Sequence, residues 1–482
     1  MEKYKIQPWA HQLAAITRAR DYDGFALFFE MGCGKSSTLV NILRERYTKN
    51  GGLYKTLIIC PIIVVENWRR EFIAHSHILP KKIITLTGYG AQKAIDLRNN
   101  SDSANIFITN YEAFQNEEFF AACKAYGFEV IACDESHKIK DIQTKRAKKV
   151  IELGKTARFK YILSGSPVLN SPMDLFSQYK FLDNGETFGD NFFVFRSTYL
   201  YDANAHIPKA KYFPAWKIRP KSLEAINKKM EAKSMRIKKI DCLDLPPLVR
   251  EVLYVDLSAD QLDAYTEMKE DFISYVGGAA CVAQLAITKA LRMMQILSGF
   301  ATVEDPDSPT GKRNLRFDTS PRLDAMKELL KEITPNHKVI IWACWRENFK
   351  AIKEVLDFLH IKHVEVHGEH SAKEKVRAVD TFNEDYEYRV LLGNPSACGT
   401  GVNLTAASYA IYFSRNFSLE QDIQSEARNH RGGSEVHDKI TRIDLVAKDT
   451  IDELIVKRLH EKQVMGETIL GDIKGALNEL GL

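Results

Sequence analysis

Apolar residues in the first third of the chain come in short blocks separated by stretches with helical spacing. Residues 24–29, 56–60, 83–86, 106–109, 130–133 and 161–163 are compact apolar runs of strand length. Between the first two, residues 36–47 place Leu39, Ile42 and Leu43 on one helical face. Strands alternating with helices argue for a parallel sheet covered on both faces. The alternation returns after Asp318, with strands expected at 339–342, 363–366, 390–392, 409–413 and 440–445 and an amphipathic helix over 450–463.

The middle of the chain differs. Residues 172–299 read as mostly helical and basic, with eleven Lys/Arg against two Glu between Lys209 and Lys239. Residues 304–314 are polar and hold two prolines and a glycine, which suits a linker. The expected organisation is two related α/β halves joined through a helical, basic segment. The first lobe covers 1–200, a protrusion completing it covers 201–300, a linker covers 301–317, and the second lobe covers 318–482.

Composition narrows the class. At 482 residues the chain has room for two or three domains. Its net charge is only +4, so nucleic-acid binding has to be argued from local charge. None of the eight cysteines forms a Cys-x-x-Cys pair, and the spacing of His363, His367 and His370 matches no zinc pattern. Without a disulfide framework the cysteines suggest a reducing cytosol. The apolar run 57–65 is broken by Pro61 and falls short of the roughly 20 residues a membrane span needs. The start of the chain has no signal-peptide core. A cytoplasmic protein not associated with membrane is expected.

The candidate chemistry lies at strand ends. Glu30-Met31-Gly32-Cys33-Gly34-Lys35-Ser36 sits between a strand and a helix, where backbone N–H groups favour a phosphate. Lys35 would reach the β- and γ-phosphates of ATP, and the Ser36 hydroxyl would hold Mg²⁺. Phe29 stands where the strict phosphate-loop pattern has its first glycine, so a plain strand–helix turn also fits the segment alone. Asp134 and Glu135 close the apolar strand at 130–133. There Asp134 could hold the metal and Glu135 could activate a water, although an acidic pair at a helix start is also common. Arg428 and Arg431, three residues apart, share a helical face and could stabilise charge on a γ-phosphate, or could simply end an exposed helix.

In their order and spacing these segments resemble a superfamily-two helicase-like ATPase of the Swi/Snf type. Gln12, in Pro8-Trp9-Ala10-His11-Gln12, falls where the family reads adenine. Residues 30–36 resemble its phosphate loop, and Cys60-Pro61 with Asn67-Trp68 resembles the next block. Thr109-Asn110-Tyr111-Glu112, Asp134-Glu135-Ser136-His137 and Ser164-Gly165-Ser166-Pro167 resemble the DNA-contacting, acidic and coupling blocks. Gly399-Thr400-Gly401-Val402-Asn403-Leu404 and Gln424–Gly433 resemble the two blocks of the second lobe. Cys33, Cys398 and Ser434 depart from the usual leucine, glycine and glutamine.

The resemblance implies two RecA-like parallel-sheet lobes with a helical basic protrusion between them. It also implies an ATP- and Mg²⁺-dependent motor on nucleic acid, with double-stranded DNA favoured, acting as a monomer associated with nucleoid or viral DNA. Gln12, Gly32, Gly34, Lys35, Ser36 and Gly401 would bind nucleotide. Ser36 and Asp134 would hold Mg²⁺. Lys35, Asp134, Glu135, Arg428 and Arg431 would be catalytic, with Arg431 as the finger. Thr109, Asn110, Tyr111, His137, Ser164, Ser166, Asn403 and Gln424 would contact the strand or couple it to hydrolysis. A strand-separating, annealing or branch-migrating helicase is the close rival, and a nucleotide-gated remodeller of bound proteins the more distant one.

Overall fold

The computed structural model describes residues 4–168, 171–206, 216–277, 283–307, 311–398 and 402–469. These fall into two compact units, the first built chiefly on residues 4–203 and 216–243 and the second on residues 244–461. Gly401, Thr400, Tyr212, Phe213 and Lys209 lie outside the described residues.

The first unit holds seven parallel strands. In chain order they are β1 (Gly24–Phe29), β2 (Thr56–Cys60), β3 (Ile83–Thr85), β4 (Ile106–Asn110), β5 (Val130–Asp134), β6 (Phe159–Leu163) and, after a short hairpin of β7 (Leu200–Asp202) and β8 (Trp216–Ile218), β9 (Ser234–Ile237). Their order across the sheet is β3-β4-β2-β5-β6-β1-β9. The period-2 geometry of a strand explains the unbroken apolar runs. Ala26 and Phe28 face one apolar cluster while Phe25, Leu27 and Phe29 face the other, and Leu57 and Ile59 oppose Ile58 and Cys60 in the same way.

The edge strand β9 was not expected. Its four residues, Ser-Met-Arg-Ile, have no apolar run, yet they pair with β1 from Ala26↔Ser234 to Phe29↔Ile237. Only one side of β9 is paired, so it needs no symmetrical apolar cover.

The second unit is a six-stranded parallel sheet in the order β10-β17-β16-β13-β15-β14. Its strands are β10 (Leu248–Val255), β13 (Val339–Trp342), β14 (His363–Val366), β15 (Val390–Gly393), β16 (Tyr409–Tyr412) and β17 (Ile440–Ala447), with the hairpin β11 (Phe300–Glu304) and β12 (Lys312–Arg316) lying in sequence after β10. Two expectations change here. Of residues 201–300, residues 216–243 stay with the first unit, whereas residues from 244 onward belong to the second, where β10 pairs with β17 from Leu248↔Ile440 to Val255↔Ala447. The segment expected as a linker at 301–317 is largely the hairpin of β11 and β12. Among the described residues no helix is long and apolar enough to cross a membrane.

A buried ionic network fixes the helix Leu419–Glu426 in the second unit. Arg442, on β17, reaches Asp422, Glu426 and Asp444, and its guanidinium lies 4.0 Å over the Tyr412 ring. Arg250, on β10, makes a two-pronged pair with Glu426. Burial alone would push the Glu426 carboxyl up. The hydrogen bonds and charges of Arg250 and Arg442 outweigh burial and hold it at about 2, against an ordinary 4.5. A carboxyl depressed by folding adds stability that is complete above its unfolded value and is lost as pH falls through its folded value. The melting temperatures of wild type and Glu426→Gln should therefore differ most at neutral pH and converge between pH 4.5 and 2. A constant difference across that window would show that the charge on Glu426 is not what stabilises the helix.

Candidate nucleotide site

Parallel strands bring all their carboxyl ends to one edge, and the first sheet loads that edge with the candidate groups. Adjacent strands β5, β6 and β1 end in Asp134-Glu135, Ser164–Pro167 and Glu30–Ser36 respectively. These segments are far apart in sequence, and the strand order makes them neighbours.

The loop after β1 needs its glycines. Gly32 has φ 92° and Gly34 has φ 76°, and Gly34 caps the helix Lys35–Asn50. A Cβ at Gly34 would lie 2.0 Å from Nε2 of Gln12. That amide donates to Ser37 Oγ at 3.1 Å and to the Gly34 carbonyl at 3.4 Å, and its Oε1 accepts from Trp9 N–H at 2.8 Å. His11 Nε2 meets the Cys33 carbonyl at 2.9 Å. The N-terminal helix Ala10–Ala19 is thereby fastened to the loop. Lys35 Nζ donates to the Phe29 carbonyl at 2.8 Å, and Ser36 is half-buried in the first helical turn. On the opposite flank Glu30 Oε2 accepts from Lys239 N–H at 3.0 Å, just past β9.

The acidic pair is held from several sides. Trp68 Nε1 donates to Asp134 Oδ2 at 2.8 Å, Glu135 N–H donates to Oδ1 at 3.0 Å, and Tyr111 Oη donates to the Asp134 carbonyl at 2.6 Å. Burial, and next the neighbouring Glu135, push the Asp134 carboxyl up to about 6. A cation at this carboxylate would relieve both effects, so the residues present fit a divalent metal. Glu135 itself sits at φ 50°, ψ 55°. A non-glycine residue in that region stores strain of about 1–3 kcal/mol, which the surroundings must hold in place. His137 is buried, with Nδ1 3.4 Å from Glu135 Oε2 and 3.5 Å from Ser164 Oγ.

The Ser164–Pro167 loop abuts the phosphate loop. A Cβ at Gly165 would lie 3.4 Å from the Phe29 carbonyl. Ser164 N–H bonds the Leu27 carbonyl at 3.2 Å, and Ser166 N–H bonds Ser164 Oγ at 3.1 Å.

The block expected to touch a strand is enclosed. Thr109, Asn110 and Tyr111 are buried, as are His137 and Ser164. Asn110 accepts a hydrogen bond from the buried Lys93 and donates to Glu112 Oε2 at 2.9 Å, which in turn meets Arg146. The Thr109 hydroxyl has no hydrogen-bond partner among the described residues.

In the second unit, Arg428 and Arg431 both direct a nitrogen at the Val402 carbonyl, at 3.5 and 3.4 Å. Arg428 is only 1% exposed, whereas Arg431 is half-buried. Among the described residues no carboxylate forms an ion pair with Arg431, and burial lowers its pKa. Asn403 is exposed and accepts from Thr405 N–H at 3.3 Å, while Gln424 bonds Glu420 along the helix at 3.3 Å.

Sequence reading gave no role to Trp68, to the Tyr111 hydroxyl on Asp134, or to Gln178. A signal for Gln178 was present: it is an amide among Leu175, Phe176, Tyr179 and Leu182 on a helix whose residues are nearly all buried.

A parallel sheet with a glycine-turned loop after β1 and a carboxylate pair two strands away is the arrangement of the phosphate-loop nucleotide-binding class. The chain belongs to the SNF2-related family: the SNF2-related domain matches residues 13–302, and the helicase conserved C-terminal domain matches residues 321–433. It is 25% identical over 509 residues to the TATA-binding protein-associated factor MOT1 of Saccharomyces cerevisiae, a match covering 93% of this chain and 26% of that protein. It is 23% identical over 493 residues to putative protein p41 of Acyrthosiphon pisum secondary endosymbiont phage 1, covering 98% of this chain and 100% of the phage protein. The chain thus spans about a quarter of the yeast relative's length and all of the phage relative's. The solved Sulfolobus solfataricus SWI2/SNF2 ATPase core in complex with dsDNA aligns at 22% identity and a TM-score of 0.44, over 98% of this chain and 94% of that one.

Proposed function

We propose that the chain is an ATP-driven motor that translocates on double-stranded DNA. The observation that carries this reading is the convergence, at one sheet edge, of a glycine-turned loop after β1 and, two strands away after β5, a metal-suited aspartate and a strained glutamate, in a chain of the SNF2-related family. Backbone N–H groups around Gly32 and Gly34, with Lys35, grip the phosphates. Ser36 and Asp134 would hold Mg²⁺, which would offset negative charge on the phosphates. Glu135 orients and deprotonates the attacking water, and Gln12 faces the base. Arg428 braces Arg431, which meets the γ-phosphate when the second unit contributes to the closed state, and Gly401 is assigned to nucleotide binding. Loss of that phosphate removes the differential affinity that favours closure.

His137, Ser164, Thr109, Asn110 and Tyr111 act as couplers between the edge and the nucleic-acid strand, because their burial suits transmission better than contact, and half-buried Ser166 shares this role from the same loop as Ser164. Asn403 and Gln424 contact the strand from the second unit. Lysines and arginines to backbone phosphate provide grip without reading sequence.

The test is ATPase turnover with duplex DNA, single-stranded DNA and RNA at two salt concentrations. Blunt and circular duplexes should stimulate turnover most, and the stimulation should fall as salt rises. In parallel, a triplex-forming strand should be displaced while a forked duplex stays paired. Absence of duplex stimulation would overturn the motor reading, and separation of the fork would transfer it to the strand-separating rival.

A further inference from the structure

Gln178 lies on the helix Asp174–Asp183 and is fully buried. A buried amide among apolar neighbours is tolerated only when its polar atoms are met. Here they are met by two functional segments. Gln178 Oε1 accepts from Ser136 Oγ at 2.6 Å, and Nε2 donates to the Pro167 carbonyl at 2.7 Å and to the Asp174 carbonyl of its own helix at 2.8 Å. Ser136 follows Glu135, and Pro167 closes the loop that begins at Ser164.

We propose that Gln178 is a positioning residue that ties the strained acidic turn to the Ser164–Pro167 loop, so that movement of the loop resets Glu135. This rests on the proposed roles of Glu135 and of that loop. Three features support it. Glu135 keeps its left-handed backbone only while its neighbours are held, and both are: Trp68 and Tyr111 hold Asp134, and Gln178 holds Ser136. The two bonds leave one planar amide, whose oxygen and nitrogen are fixed relative to each other, so displacement at one end is passed to the other. The more obvious link between the same segments, His137 Nδ1 to Ser164 Oγ, measures 3.5 Å, too long for a strong hydrogen bond.

A merely structural amide and a coupling amide respond differently when both polar partners are replaced. Substituting Ser136→Ala together with Gln178→Met removes the pair without stranding the Ser136 hydroxyl or the amide, while the Pro167 carbonyl loses its donor, so melting temperature is measured beside activity. Three quantities are compared with wild type: melting temperature, KM for ATP, and the ratio of turnover with saturating duplex to turnover without it. The proposal expects an unchanged KM and a stimulation ratio reduced about fivefold. Ser136→Ala alone, which leaves Gln178 bonded to Pro167 and Asp174, should lower the ratio in the same direction and covers the case in which the double variant melts early. An unaltered ratio in Ser136→Ala, or in a normally melting double variant, would overturn the proposal. Failure of duplex to stimulate the wild type would instead remove the motor reading and this proposal with it.

Discussion

Replacing Glu135 by glutamine should lower ATP turnover about a thousandfold while leaving nucleotide affinity within a few-fold of wild type. Glutamine keeps the length and planar end of the side chain but cannot take a proton from water. In the proposed mechanism the carboxylate carries the chemical task, while bonds to Asp134 and Ser136 on either side hold the backbone of the turn. The same substitution also removes the charge that helps to push the Asp134 carboxyl up, so the remaining aspartate should be more readily ionised. Metal-dependent nucleotide binding is therefore expected to be kept. Single-turnover hydrolysis beside equilibrium binding of labelled ATP separates the two effects. Turnover within tenfold of wild type would mean that another group activates the water.

Arg431→Ala should produce a loss of comparable size, about a thousandfold in duplex-stimulated turnover. A half-buried guanidinium with no carboxylate partner among the described residues and a single long bond to a carbonyl is a charge without an anion. A transferring phosphoryl group would provide one. Lysine at this position should restore little, because an ammonium lacks the planar fork that meets two phosphate oxygens at once. Arg428 differs: at 1% exposure it is packed within the second unit and cannot reach out without repacking. If Arg431→Lys hydrolysed ATP as fast as wild type, charge alone would suffice and the finger role would fail.

Much of the fold could be read from the sequence wherever a strand is covered on both faces. β1, β2, β4, β5 and β6 are buried at every residue, so each shows an apolar run, shortened in β6 by the buried Lys160. The edge strands broke that rule. β10 reads Leu-Val-Arg-Glu-Val-Leu-Tyr-Val with most residues exposed, and its partner β17 is far along the chain, so no local pattern marks its membership. The hairpin of β11 and β12 hid behind the prolines and glycine of its turn.

The candidate site was legible where spacing alone implies chemistry, as in Gly32–Ser36 and Asp134–Glu135. It was illegible where the chemistry depends on tertiary contact. The bond from Trp68 to Asp134 and the two from Gln178 join residues that no periodicity relates. The burial of Thr109, Asn110 and Tyr111 follows from their place at and just beyond the end of a central strand, and motif order could not show it.

The pairing of β10 with β17 bears on where the polypeptide can be cut. A C-terminal fragment begun at residue 318, where the apolar alternation restarts, would lack β10 and leave the flank of β17 bare over eight residues. An uncovered flank of that length is a template for association with other copies. Begun at residue 244, the fragment would carry its own closing strand, together with the Arg250 clamp on Glu426.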